Sequence, residues 1–208
     1  VIDLNVLQWL DLAGVFVFAS SGALVAARNR LDIVGFVVIG FITSVGGGTL
    51  RDLLVDVPVF WIQQSIYIWI ALVAAVITFG FSGFIDKRRR WIVWFDAVGL
   101  SVFCVLGAAK GLEITGDPVI SVMMGVVSAV FGGVLRDIIC NEVPLIFRGE
   151  IYATAAFFGS ALFVTAMTFD ISKNLALWLG IGGALALRAG AILWGWSLPK
   201  SRGLHDPA

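Results

Sequence analysis

The chain is a succession of apolar runs, each about long enough to cross a bilayer, and this constrains its fold more than any other feature. A transmembrane helix needs about 20 predominantly apolar residues. Cut at its charged and turn-forming segments, the sequence yields seven candidates at 8–27, 33–56, 60–84, 92–112, 118–140, 150–170 and 175–197. The breaks read RNRLD, DVP, DKRRR, GLEITGDP, NEVPLIFRGE and DISKN, all of them charged or rich in turn residues. With 60% hydrophobic and 13% charged residues over 208 positions, the chain carries more apolar surface than a water-soluble core can absorb. The expectation is a single all-α transmembrane domain spanning 1–208.

Charge sets the expected orientation. If DKRRR lies on the cytoplasmic side, then Arg28, Arg30, Lys87, Arg88, Arg89, Arg90, Arg148, Lys200 and Arg202 all lie inside, while Lys110 and Lys173 lie near outer ends. That is the positive-inside pattern, with the amino terminus outside and a cytoplasmic tail at 198–208. Trp9, Trp61 and Trp178 then fall near outer ends and Trp91, Trp94, Trp194 and Trp196 near inner ones, as an interfacial aromatic belt requires. The first run has no basic leader or small-residue cleavage site and reads as a retained span.

The sequence repeats itself. Sliding it by eighty-five residues places Asp11 on Asp96, Gly14 on Gly99, Phe18 on Phe103, Gly22 on Gly107 and Gly40 on Gly125. The same shift places GGxLRD at 47–52 on the same pattern at 132–137, and one further residue brings Pro58 onto Pro144. The repeats cover 8–84 and 92–170, with 175–197 outside them. Each holds three spans, an odd number, so the second copy is inverted in the membrane. Inverted repeats place pathways near the midplane at the repeat interface, and glycine-interrupted segments at matching positions are the best pointer to them.

Those segments are SVGGGTLRDLL at 44–54 and AVFGGVLRDII at 129–139. At 1.5 Å per residue, the glycines of the second span lie about 21 Å beyond Asp32, somewhat past the midplane. Three consecutive glycines disfavour a helix interior by roughly 3 kcal/mol relative to alanine, so Gly46, Gly47 and Gly48, with Gly132 and Gly133, predict a kink or unwinding. Close helix packing of the small-xxx-small kind is the alternative. The hydroxyls beside the breaks are Thr43, Ser44, Thr49 and Ser128. The charged residues predict one Asp and one Arg at each mouth: Asp11 with Arg51, and Asp96 with Arg136. Asp52 and Asp137 then cap neighbouring helix ends or face the pathway. Such pairs either line a pathway or only fix geometry. Arg188, midway along the seventh span, has no repeat partner and either snorkels, pairs with an Asp or sits beside the pathway.

The segments GGGTLRDLLVDVPVFWI and FGGVLRDIICNEVPLIFRGEIYATAAFFG resemble the twin signatures of the bacterial trimeric intracellular cation (TRIC) channel family, also labelled a glycine transporter-like family. The resemblance covers about residues 8–197. It implies two inverted three-helix repeats plus a seventh helix, in the inner membrane of a prokaryote, assembled as a homotrimer among membrane lipids with one pore per subunit. It also implies permeation of monovalent cations, mainly potassium, gated at the glycines of the second and fifth spans. Phe131 stands where the first copy has Gly46, so the second kink is either milder or plugged by a ring.

Other functions fare worse. The competing reading is a secondary transporter for a small amino acid such as glycine, since inverted repeats and broken helices serve carriers equally. Zero net charge gives no electrostatic case for nucleic acid. One histidine, His205, and two separated cysteines, Cys104 and Cys140, offer no metal-ligand spacing. No cofactor is expected, and no nucleophile–base motif suggests an enzyme. A TVGYG-like filter is absent from the sequence, so a carbonyl cage selecting potassium over sodium is not expected.

Overall fold

The structure, a computed structural model, describes residues 4–81, 83, 88–148 and 151–199. The sequence expectations for Lys87, Lys200, Arg202, His205 and the tail from 200 onward fall outside these residues. The described chain is all helical: α1 (Leu4–Arg28), α2 (Ile33–Leu54), α3 (Phe60–Gln63), α4 (Ile66–Phe81), α5 (Arg88–Thr115), α6 (Pro118–Ile139), α7 (Ala153–Thr168) and α8 (Lys173–Trp194). A 3-10 turn, Leu145–Phe147, precedes α7.

The repeat is visible in how the helices begin and end. Asp32 caps α2 by accepting from the Gly35 amide at 2.8 Å, and Asp117, its counterpart, caps α6 through the Val119 and Ile120 amides. Each satisfies amides that the first helical turn leaves without partners. Past the ends of α2 and α6, Asp56 and Asn141 both turn left-handed, with φ of 54°. Asp and Asn tolerate that region better than other side chains, and the turn sends the chain sideways instead of out of the bundle.

Among the described residues, five helices, α1, α2, α5, α6 and α8, are long and apolar enough to cross a membrane. The third element of each repeat is shorter than its sequence run: α4 and α7 have 16 residues each. At 1.5 Å per residue they reach about 24 Å, less than the roughly 30 Å hydrocarbon core. For α4 the cause is that Phe60–Gln63 folds separately as a short helical piece, anchored by the aspartate eight residues earlier; Leu145–Phe147, ahead of the 150–170 run, is anchored in the same way. Because those anchors are Asp52 to Phe60 and Asp137 to Leu145, the offset of eighty-five persists here, and only the prolines slip by one.

Packing follows the pseudo-symmetry. α1 lies on α2 and α4 as α5 lies on α6 and α7, while α1 meets α5 and α2 meets α6 across the repeat interface. α8 packs against α5 and α7. On the α1–α5 contact, Phe18 and Phe103, counterparts in the repeat, stack with ring centroids 5.3 Å apart. Each ring fills the space left by the other helix's glycine, Phe103 at Gly14 and Phe18 at Gly99.

Candidate functional site

The centre of the molecule is the crossing of α2 and α6, and glycine makes it close. A β-carbon on Gly47 would collide with the Ser128 carbonyl oxygen, and one on Gly132 with that of Thr43. Gly46 faces the Leu135 side chain and the Gly132 α-carbon at 3.5 Å from its own built β-carbon. Both helices run without an unwound turn through these positions. The expected unwinding is therefore absent: tertiary contact between two glycine faces outweighs the weak helix propensity of the GGG run. Phe131 is half-buried on the same unbroken α6.

The hydroxyls beside the crossing are spoken for by their own helices. Thr43 donates to Ile39 O at 2.6 Å, Thr49 to Val45 O at 2.8 Å and Ser128 to Met124 O at 2.7 Å, while Ser44 donates to Phe41 O at 2.9 Å. With the proton directed at a carbonyl, each oxygen presents lone pairs outward. Trp61 Nε1 uses that of Thr49 at 2.9 Å. The Thr43 and Ser128 side chains are tucked against Gly22 and Gly107, again counterparts.

At one end of the crossing, Asp52 is fully buried and gathers three partners. Its Oδ1 accepts from Arg51 Nε at 2.9 Å and Nη2 at 2.7 Å and from Lys110 Nζ at 2.8 Å. Its Oδ2 accepts from the Phe60 amide at 3.0 Å. Arg51 Nη1 reaches Ser128 Oγ at 3.5 Å. The expected Asp11–Arg51 pair is not formed; Asp11 Oδ2 instead accepts from the Tyr67 hydroxyl at 2.6 Å. Physically, Asp52 is adjacent in sequence and already desolvated, so the guanidinium finds its counter-charge without reaching across to α1.

At the other end the expected pair exists. Arg136 Nη1 donates to Asp96 Oδ1 at 2.7 Å and to Ser21 Oγ at 3.0 Å, and its Nε donates to Asp137 Oδ1 at 2.8 Å. Asp137 Oδ2 accepts from the Leu145 amide at 3.1 Å. Both expected caps, Asp52 and Asp137, thus hold helix starts. Arg188 is buried, with Nη1 donating to Ile151 O at 3.3 Å and its guanidinium carbon 5.2 Å from the Tyr152 ring centroid.

Among the described residues, the cavities at the two ends differ in size. Asp11, Arg51, Phe60, Tyr67, Lys110 and Glu113 line a cavity of about 460 Å³. The opposite cavity, against Arg136 and Asp137, measures about 20 Å³. There Glu142 pairs with Arg28 and with Arg148 at 3.4 Å, and accepts from Asn29 at 3.4 Å. These bridges lie across the small cavity.

Four contributors escaped the sequence reading as site residues: Tyr67, Tyr152, Lys110 and Glu142. The tyrosines were legible in principle, because the chain has two, and they stand eighty-five residues apart. Lys110 and Glu142 have no such signal, since their repeat counterparts are Val25 and Val57. Among the described residues no cluster of metal-ligating side chains occurs, and Cys104 and Cys140 are free thiols.

Comparison with known proteins recovers the repeat independently. One family model, described as Glycine transporter, matches twice, at residues 8–83 and 93–168. The chain is 40% identical over 197 residues to the UPF0126 inner membrane protein YadS of Escherichia coli K12, covering 92% of this chain and 94% of that one. Among solved structures, a TRIC trimeric intracellular cation channel orthologue from Rhodobacter sphaeroides superposes with a TM-score of 0.90 at 46% identity, covering 92% of this chain and all of that one. A second structure, from work on conductance through TRIC cation channels, gives a TM-score of 0.87 at 32% identity over 99% of this chain.

Proposed function

The chain belongs to the family of prokaryotic TRIC channel homologues, multi-pass inner membrane proteins with a non-enzymatic role, and from that premise we propose that it is a homotrimeric monovalent-cation channel with one potassium-permeable pore per subunit. In this reading α1, α2, α4, α5, α6, α7 and α8 all cross the membrane, as two inverted repeats plus a seventh helix, with the amino terminus outside and the carboxyl terminus in the cytoplasm. The pathway runs along the α2–α6 crossing, past Gly46, Gly47, Gly48, Thr43, Ser44 and Thr49 on one helix and Ser128, Phe131, Gly132 and Gly133 on the other.

The observation that carries this reading is the pair of neutralised mouths flanking one glycine crossing. An arginine at each end would repel cations, but Arg51 is paired with Asp52 at one mouth, where Asp11 is a second carboxylate, and Arg136 is paired with both Asp96 and Asp137 at the other. The mouths are then left polar without a net field against cations. Contact between the glycine faces closes the route, and a crossing without side chains between the backbones lets α2 slide against α6 with little steric resistance. Gating near the glycines follows from packing instead of from an unwound turn. Discrimination between potassium and sodium is weak, since no carbonyl cage is available.

One observation favours the second reading, a carrier for a small amino acid such as glycine: among the described residues a cavity of about 460 Å³ lies at one mouth and one of about 20 Å³ at the other, an asymmetry that alternating access would give. Single-channel recording on purified protein separates the two. Unitary cation currents are the expected result; ion-coupled glycine uptake without them establishes the carrier instead.

A further inference from the structure

The two tyrosines, Tyr67 and Tyr152, occupy equivalent places in the repeat, beside the equivalent aspartates Asp11 and Asp96. Yet the two halves satisfy those aspartates differently. Asp11 on α1 is held by Tyr67 on α4 at 2.6 Å, and Arg51 has turned to Asp52 on its own helix. Asp96 on α5 is held by Arg136 on α6 at 2.7 Å, while Asp96 Oδ2 and the Tyr152 hydroxyl are both buried without a hydrogen-bond partner. They are close neighbours: a β-carbon built on Gly133 would lie 2.8 Å from the Tyr152 hydroxyl and 3.5 Å from Asp96 Oδ1. One set of residue types therefore rests in two arrangements within one molecule, and the arrangements accompany different mouths. Among the described residues, the cavity on the tyrosine-held side measures about 460 Å³ and the one on the arginine-held side about 20 Å³.

We infer that Tyr67 and Tyr152 are gating residues, competing with Arg51 and Arg136 for Asp11 and Asp96, so that a mouth is open when tyrosine holds its aspartate and shut when arginine holds it. The exchange has a mechanical meaning. An Arg-held aspartate ties the first helix of a repeat to the second, the helix that forms the glycine crossing. A Tyr-held aspartate ties the first helix to the third and leaves the second free to move. The charge cost is small, because each arginine keeps a second carboxylate, Asp52 or Asp137, in either arrangement; an uncompensated buried guanidinium would forbid it. The present asymmetry also has a source. Arg188, from the helix outside the repeat, sits over the Tyr152 ring, whereas Phe60 packs edge-on to Tyr67.

The inference rests on the channel reading for its effect on current, so its test includes a readout that does not. Cys140, partly buried against the Val25–Ile92 cluster beside the small cavity, reports opening of that mouth by its rate of reaction with a charged thiol reagent on the purified full chain. Cys104 is buried and silent. Tyr152→Phe, nearly isosteric, should lower both that rate and the open probability about tenfold, the usual scale for one hydrogen bond to a charged group, with unitary conductance unchanged. Asp96→Asn should move both the opposite way, because Arg136 loses its ionic tie to α5 while keeping Asp137, and Tyr152 keeps an acceptor. Tyr67→Phe should lower open probability and leave the Cys140 rate of resting protein unchanged. Should Asp96→Asn not fold, the two Phe variants decide the matter. Tyr152→Phe indistinguishable from wild type, or Asp96→Asn slowing Cys140, overturns the inference. Absence of unitary currents in wild type overturns the channel reading alone, with the Cys140 rates still deciding this one.

Discussion

Gly47 lies against the carbonyl oxygen of Ser128 with no room for a methyl group between them, and the repeat reproduces that contact at Gly132 and Thr43. Adding a β-carbon at either glycine therefore pushes α2 from α6 along the line where the repeats meet. Overpacking of this kind costs about 1–3 kcal/mol. Gly47→Ala and Gly132→Ala are expected to lower the melting temperature in detergent, while Gly80→Ala, with nothing within 4 Å of its β-carbon, leaves it unchanged or raised.

Asp52 balances two cations and anchors a helix start at once. Asp52→Asn keeps the shape but leaves Arg51 without its anion in a desolvated place, and Lys110 without it at the cavity wall. Removing one partner of a buried pair costs about 3–5 kcal/mol, so thermal unfolding of this variant should show one of the largest losses of any single isosteric change. Asp137→Asn should be milder, since Arg136 retains Asp96.

These two sites also show how far the residues themselves could be read. The register of the repeat and the glycine positions are plain in the chain, because periodic apolar runs and rare residues in register depend on local sequence. The cap roles of Asp52 and Asp137 and the Asp96–Arg136 pair were equally within reach. The unwinding expected at Gly46–Gly48 was not, because propensity is a property of an isolated helix and α6 supplies a partner face. Nor was the Asp11–Tyr67 bond, since the sequence places two acids within reach of Arg51 and only packing decides which one it takes. The shortness of α4 has a similar cause: an apolar run does not reveal where a side chain eight residues upstream will start a new helix.

Glu142 receives Arg28, Arg148 and Asn29 across the smaller mouth, and all of these groups are partly accessible. Exposed pairs contribute about 0–1 kcal/mol, so Glu142→Gln should leave the melting temperature nearly unchanged. Its effect should appear instead as a higher open probability, diminishing as ionic strength rises and screens the wild-type bridges.

The proposed orientation is tested by reporter fusions at the carboxyl end. A fluorescent-protein fusion after Ala208 should be bright, and an alkaline phosphatase fusion at the same place inactive, because only the former folds in the cytoplasm.

The reversal potential of purified protein in a planar bilayer, under a potassium chloride gradient, tests the channel reading most directly. A cation channel whose mouth arginines are paired with carboxylates should move the potential toward the potassium equilibrium value, and shift it little when sodium replaces potassium on one side. A potential following chloride would contradict that, and would make Arg51 and Arg136 ligands of the permeating ion.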